Sequence, residues 1–378
     1  MRKSLIAFVA VLVAAAAFAP TAVAAGQANA AERTTIAQKG PTCEYPFEGE
    51  DATGQQVTIE EEPESVVVLQ PSDAQIMFEI GAEGKLAGMP VNEYTAYLNP
   101  DEDLALQLDG NGVPVAEDVV DRNPDVVLAA SHVADDDVID QLRDAGLTVY
   151  VFPTEESLDG VAENVRLTGE IVGECEGAQE TLDWMDERLG IIEEATANVE
   201  RPLALYAMGG GYTAGEATFQ HEILTTAGVE NLGAEAGIQG WAEISDEVVV
   251  EEDPEWIIYG DSFEEPPVGE AAMGTTAYEN EQFVAVDANF MNQPGPLVVQ
   301  AIEEIVQQVH PDAYEEAEAA IEDADGSGTS DDGNESGASD ADDETDAGAE
   351  ANDSIPGLGA PAAVAALLAV VGAVSRRP

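Results

Sequence analysis

The chain has 378 residues, 45% of them apolar, enough for two ordinary domains or one large one. Its 77 acidic residues face 12 basic ones, and residues 31–321 alone carry 64 acids against eight bases, a net charge of −56. With no basic patch to neutralise phosphates, nucleic-acid binding is excluded. Self-repulsion on this scale opposes compaction unless concentrated salt shortens the Debye length to about 3 Å. Because the acids are spread along the chain, they read as adaptation to a hypersaline, archaeal setting and not as one site for a basic partner.

The N-terminus, MRKSLIAFVAVLVAAAAFAPTAVAA, sets Arg2 and Lys3 before an apolar run. Small residues follow at two candidate cleavage points, Ala22-Val23-Ala24 and Ala28-Asn29-Ala30. Residues 1–30 contain no acid and read as a secretory signal peptide, followed by an N-terminal arm over 31–62. Arg2-Lys3 is not a twin arginine, so export before folding is the simpler route. An exported chain with an even cysteine count favours a disulfide, which predicts pairing of Cys43 with Cys175. No apolar run precedes Cys43, so lipidation there is not expected.

Continuous apolar runs, the pattern of parallel strands covered on both faces, occur at 65–69, 125–130 and 148–152. They recur at 203–208, 255–259 and 283–286. Helical patterns lie between them, at 73–80, 135–145 and 221–227, each closed by a glycine. Strand–helix alternation in both halves predicts two α/β lobes, 63–152 and 201–313. The intervening 153–200 contains only one proline, Pro153, and shows apolar residues at helical spacing. It predicts one long bridging helix or two stacked segments, since Gly169, Gly173 and Gly177 weaken the middle.

The two lobes share a phrase. EDVVDRNPDVVL from Glu117 and EVVVEEDPEWII from Glu247 each place a proline seven residues after a glutamate, then an acid and an apolar run. The proline marks a loop that launches an inner strand, and the glutamate opens the helix before it. On the residues alone each glutamate is either a partner contact or a favourable charge at a helix N-terminus.

Residues 322–354 are acidic, lack aromatics and cannot form a core, so they predict a disordered stalk with glycosylation acceptors at Asn334 and Asn352. An apolar run from Ala360 to Val374 and a basic end complete an anchor over 355–378, although a permanent span needs roughly 20 residues. This tail resembles the archaeal sorting signal known as PGF-CTERM, with Leu358 where that motif has Phe. The resemblance implies cleavage and attachment to lipid; the alternative is a simple C-terminal transmembrane anchor. Either way the body sits on the outer face of the cell membrane.

The segment from Asp51 to Pro90, with its hairpin signal, Pro63, Pro-Ser loop and glycines, resembles the opening of binding proteins for iron–siderophore or vitamin B12 uptake. YAMGGGYTAGEATFQHEILTTAGVENLG, GWAEISDEVVVEEDPEW and NFMNQPGP follow in that family's order, so the resemblance covers about Thr53 to Pro311. It implies two Rossmann-like lobes with parallel sheets, a helical backbone, and a cleft holding a metal chelate. It also implies that Glu117 and Glu247 dock onto arginines of the permease of an ABC importer. Tyr94, Tyr212, Trp241 and Phe290 fall where the family has cleft aromatics; Tyr97, His132 and Asn289 lie on the same predicted loops.

Residues 293–297, QPGPL, lack the arginine that relatives often carry there to hold an anionic chelate. That departure favours a corrinoid over a siderophore. A monomer is expected, with no cofactor or metal of its own, although the ligand can carry cobalt or iron. Free-metal binding finds little support in His132, His221 and His310, and an enzyme finds none, since no GxSxG occurs. The alternative is a structural or adhesive surface protein, which leaves the doubled lobe and the loop aromatics without a purpose.

Overall fold

The computed structural model describes residues 40–326, apart from 111, 134–136 and 154–156. The predicted signal peptide, Asn334, Asn352, the anchor and the stalk beyond residue 326 lie outside the described residues. The N-lobe opens with an antiparallel hairpin, β1 (Phe47–Glu50) and β2 (Gln56–Ile59). It continues through β3 (Val66–Val68), α1 (Pro71–Glu79), β4 (Leu86–Gly88), α2 (Ala116–Arg122), β5 (Val126–Ala129), α3 (Asp137–Asp144) and β6 (Val149–Val151). Strands β4-β3-β5-β6 form one parallel sheet whose central residues are buried on both faces, as their unbroken valine runs require. The described part of the predicted arm, 40–62, belongs to this lobe, because Phe47 packs edge-to-face on Tyr150 and Ala52 N–H donates to Val151 O.

Two helices follow, α4 (Leu158–Val172) and α5 (Cys175–Thr196), broken at Gly173 in the left-handed conformation. The break is held from several sides. Cys43 and Cys175 form the predicted disulfide, the Tyr45 hydroxyl donates to Ile171 O, and Lys85 reaches Val172 O, Glu62 and Glu174. Each helix touches both lobes. The N-terminal turn of α4 offers Leu158 N–H to Glu222 of the C-lobe, while its body packs on α1. On α5, Thr181 donates to Glu79 O of α1, and Arg188 pairs with Glu303. Gly177 is required where α5 meets the N-lobe, since a Cβ there would lie 2.0 Å from Ile80 O.

The C-lobe contains β7 (Leu203–Ala207), β8 (Tyr212–Ala214), α6 (Phe219–Thr226), β9 (Glu230–Asn231), α7 (Leu232–Glu235), β10 (Trp241–Glu243) and α8 (Asp246–Glu252). It ends with β11 (Trp256–Gly260), α9 (Thr276–Glu279), β12 (Phe283–Val286), α10 (Ala288–Asn292), α11 (Val298–Val309) and α12 (Pro311–Gly326). A second parallel sheet runs β12-β11-β7-β9, and β8 with β10 makes a separate antiparallel ribbon. The α/β class and doubled parallel architecture are therefore as the sequence predicts.

The boundary with the predicted stalk needs correction. Helix α12 runs to Gly326, five residues into the span assigned to the stalk. The reason is that Tyr314, Ala317 and Ile321 recur at helical spacing and pack into the main core, carrying the helix past the last apolar residue. Among the described residues no helix is long and apolar enough to cross a membrane.

Candidate ligand cleft

The shared phrase proves to be one structural unit used twice. Helices α2 and α8 each place their glutamate second, and each ends on a left-handed residue, Asn123 at φ 47° and Asp253 at φ 48°. A proline then turns the chain into an inner strand, β5 or β11. In a strand–helix–strand unit the helix runs back along the sheet. The first turns of α2 and α8, with Glu117 and Glu247 exposed, thus lie at the edge from which the strand-end loops emerge.

Those loops enclose a cleft of about 680 Å³ between the lobes. Gln70 to Ser72 follow β3, Glu93 and Tyr94 follow β4, Asp261 and Ser262 follow β11, and Asn289, Asn292 and Gln293 follow β12. Every wall therefore comes from the carboxyl end of a parallel strand, where open α/β sheets bind ligands. The polar lining is amides, hydroxyls and two carboxylates. Among the described residues no lysine or arginine lines it. The six described cations are held elsewhere: Lys85, Arg143, Arg166 and Arg188 pair with acids, whereas Arg122 and Arg201 donate to backbone carbonyls.

Of the residues expected to bind ligand, Tyr94 and Asn289 line the cleft. The Tyr94 ring is 55% exposed on a loop fixed from behind, because Asn92 Oδ1 accepts from Tyr94 N–H and the buried Thr95 hydroxyl donates to Pro90 O. Tyr97 and Phe290 do not line it. They pack edge-to-face, with ring centroids 5.5 Å apart, and join the lobes beneath the cleft.

The floor is a hydrogen-bonded node that sequence reasoning missed. Gln75 Nε2 donates to the Tyr97 hydroxyl at 2.7 Å, and that hydroxyl donates to Gln293 Oε1 at 3.1 Å. Gln75 Oε1 accepts from Leu297 N–H, and Gln293 Nε2 donates to Tyr94 O. Burial above all pushes the Tyr97 phenol up to about 12, so it stays a neutral donor. The signal for this node was only two glutamines, a residue type that carries no periodicity.

Trp241 and Tyr212 occupy one face of the β8–β10 ribbon as diagonal neighbours, 56% and 47% exposed. The Trp241 indole donates to Gln220 Oε1, and Gln220 Nε2 donates to Asn292 Oδ1 in the cleft wall. Trp241 is thus coupled to the cleft without lining it, while Tyr212 borders a separate small cavity in the C-lobe. The backbone of His132 lies in the 3-10 turn Ser131–Val133, and its side chain is outside the described residues. Behind the cleft, burial raises the pKa of Glu304, as does repulsion from Asp287 and Asp261. Among the described residues no three His, Cys, Asp or Glu side chains converge as metal ligands.

Comparison with known proteins places this geometry. A family model described as periplasmic binding protein matches residues 66–294. The chain is 33% identical over 280 residues to a cobalamin-binding protein of Halobacterium salinarum, covering 71% of this chain and 75% of that one. It is 28% identical over 302 residues to an uncharacterised ABC transporter substrate-binding lipoprotein of Bacillus subtilis, covering 77% and 94%. Among solved structures, Helicobacter pylori CeuE in a nickel–histidine complex superposes with a TM-score of 0.61 at 20% identity, covering 73% and 92%, a likeness of fold.

Proposed function

The chain belongs to the periplasmic binding protein family, and on that premise we propose that it is the extracellular substrate-binding component of an ABC importer, delivering a metal chelate, foremost a corrinoid. The observation that carries the ligand class is the cleft lining. Amides, hydroxyls and the Tyr94 face suit a large, weakly charged ring complex with hydrogen-bonding substituents, and the lining offers no cation to hold an anionic siderophore. The similarity to a cobalamin-binding protein supports the same choice. A purely adhesive role leaves the cleft between the lobes and its fixed aromatic loop without use.

Export, a C-terminal anchor and a high-salt habitat complete the reading. They rest on the apolar N-terminus, the tail resembling PGF-CTERM and the charge of −56 over residues 31–321. Glu117 and Glu247 are the docking contacts, supported by their identical placement in two helices.

The test is a titration of the purified protein with cyanocobalamin in about 3 M potassium chloride, following tryptophan fluorescence. Saturable quenching at one site per chain is expected, weakened about tenfold by Tyr94→Ala, the scale of a lost aromatic contact. A flat titration with cyanocobalamin and saturation with a ferric hydroxamate instead would move the assignment to siderophores.

A further inference from the structure

We infer that the cleft reads the edge of its ligand, binding a ring complex whose side groups are primary carboxamides and turning away the same ring edged with carboxylates. Asp261 and Glu93 are the discriminating side chains. This rests on the corrinoid reading above and adds to it the chemistry of the ligand's side groups.

An amide side chain can turn either its oxygen or its nitrogen to a ligand, and here bonds to backbone groups decide which. Leu297 N–H can only donate, so the Gln75 atom it meets is Oε1, and Gln75 Nε2 is left to donate to the Tyr97 hydroxyl. That hydroxyl gives its own hydrogen to Gln293 Oε1. Gln293 Nε2 then donates twice, to Tyr94 O at 2.8 Å and to Asn289 Oδ1 at 3.2 Å. With its oxygen engaged behind it, Asn289 offers the cleft an Nδ2 that has no partner among the described residues. Asn292 is fixed in the same sense. Its Nδ2 donates one hydrogen to Ala288 O, so Oδ1 is the acceptor from Tyr206 and Gln220, and the second Nδ2 hydrogen is left over.

The acceptors in the same cleft are Asp261 on the C-lobe and Glu93 on the N-lobe, both exposed. Asp261 Oδ1 accepts at 3.1 Å from the N–H of Ala288, the residue before Asn289, so its carboxylate is held next to the start of α10 with Oδ2 left for a ligand. Glu93 immediately precedes Tyr94, whose carbonyl is held by the same Gln293 nitrogen that orients Asn289. Donors and acceptors on adjoining points of one wall are the complement of a carboxamide, which accepts at oxygen and donates at nitrogen. A carboxylate only accepts. It can meet Asn289, but it then confronts Asp261 or Glu93 with like charge and no hydrogen to share. A cation would suit the two acids and leave the amide donors facing it without an acceptor.

Concentrated salt makes this contact chemistry decisive. In dilute solution the net −56 of residues 31–321 repels any anion from a distance. At about 1 M the Debye length is near 3 Å and that repulsion has lost its reach, so rejection of acids falls to carboxylates that touch the ligand.

The experiment titrates the full chain in about 3 M potassium chloride with cobinamide and with cobyrinic acid, following tryptophan fluorescence. The two probes share the cobalt ring, and their side groups are carboxamides in the first and carboxylic acids in the second. Cobinamide should bind about tenfold more tightly or better. Asp261→Asn with Glu93→Gln should raise the affinity for cobyrinic acid about tenfold and narrow that preference. Glu93→Gln alone, a substitution on an exposed loop, should shift the ratio in the same direction. Asn289→Asp still accepts from Gln293 but no longer donates, and should lower cobinamide affinity about tenfold with the melting temperature of the parent. Equal affinity of the parent for both rings overturns the inference, as does a preference that neither carboxylate substitution alters; both results leave the corrinoid reading standing. Cobinamide affinity untouched by Asn289→Asp likewise overturns it. Binding of neither ring overturns the corrinoid reading and the side-group rule together.

Discussion

The Tyr97 hydroxyl shows how much of this cleft is decided by single polar atoms. It accepts from Gln75 on one lobe and donates to Gln293 on the other, so removing it strands two buried amides. Tyr97 belongs to a set with Tyr45, Tyr150, Tyr206 and Tyr314, each pushed up to about 12 chiefly by burial. Folding thus raises these five above the ordinary phenol value of 10.0, so their stabilising contribution is whole below pH 10 and is lost as pH climbs through about 12. The melting temperature should fall steeply across that window, and phenolate absorbance should show five late-ionising tyrosines that ionise early once the chain is unfolded. At this scale the sequence was only partly legible. Asn289 borders the cleft one step past the readable strand β12, and Tyr94 borders it after the short β4, whereas Tyr97 and Phe290 face each other across the lobes. Nothing local distinguishes a tyrosine that meets ligand from one that braces the floor.

Among the elements, the long valine and isoleucine runs named the inner strands, because a strand buried on both faces needs apolar residues throughout. The strands that escaped notice are β4, β8, β9 and β10, two or three residues each and rich in Gly, Ala or polar side chains. They exist through their pairing partners, information that no local pattern contains. The broken bridge was legible as an alternative, and Gly177 decides its geometry by lying against the backbone of Ile80. Gly177→Ala should push α5 off α1 and destabilise the protein by about 2–3 kcal/mol, measured by denaturant unfolding, the scale of an overpacked core. If the variant melts with the parent, the close approach at Ile80 is not maintained in solution.

For the whole molecule, composition spoke most clearly, since the doubled lobe and the acidic surface follow from patterns that extend over hundreds of residues. The paired helices α4 and α5, each touching both lobes, have a mechanical consequence. A single rod lets two bodies twist about its axis, but two rods side by side must bend together or not at all. The protein is a book with a double spine, whose covers resist torsion and open little. Capture of ligand then depends on side chains at the rim, Tyr94 and Asn292 among them, and not on covers swinging shut. Stopped-flow association with cyanocobalamin should accordingly be a single phase whose rate rises linearly with ligand concentration. A plateau at high concentration would reveal a slow closure that the double spine forbids.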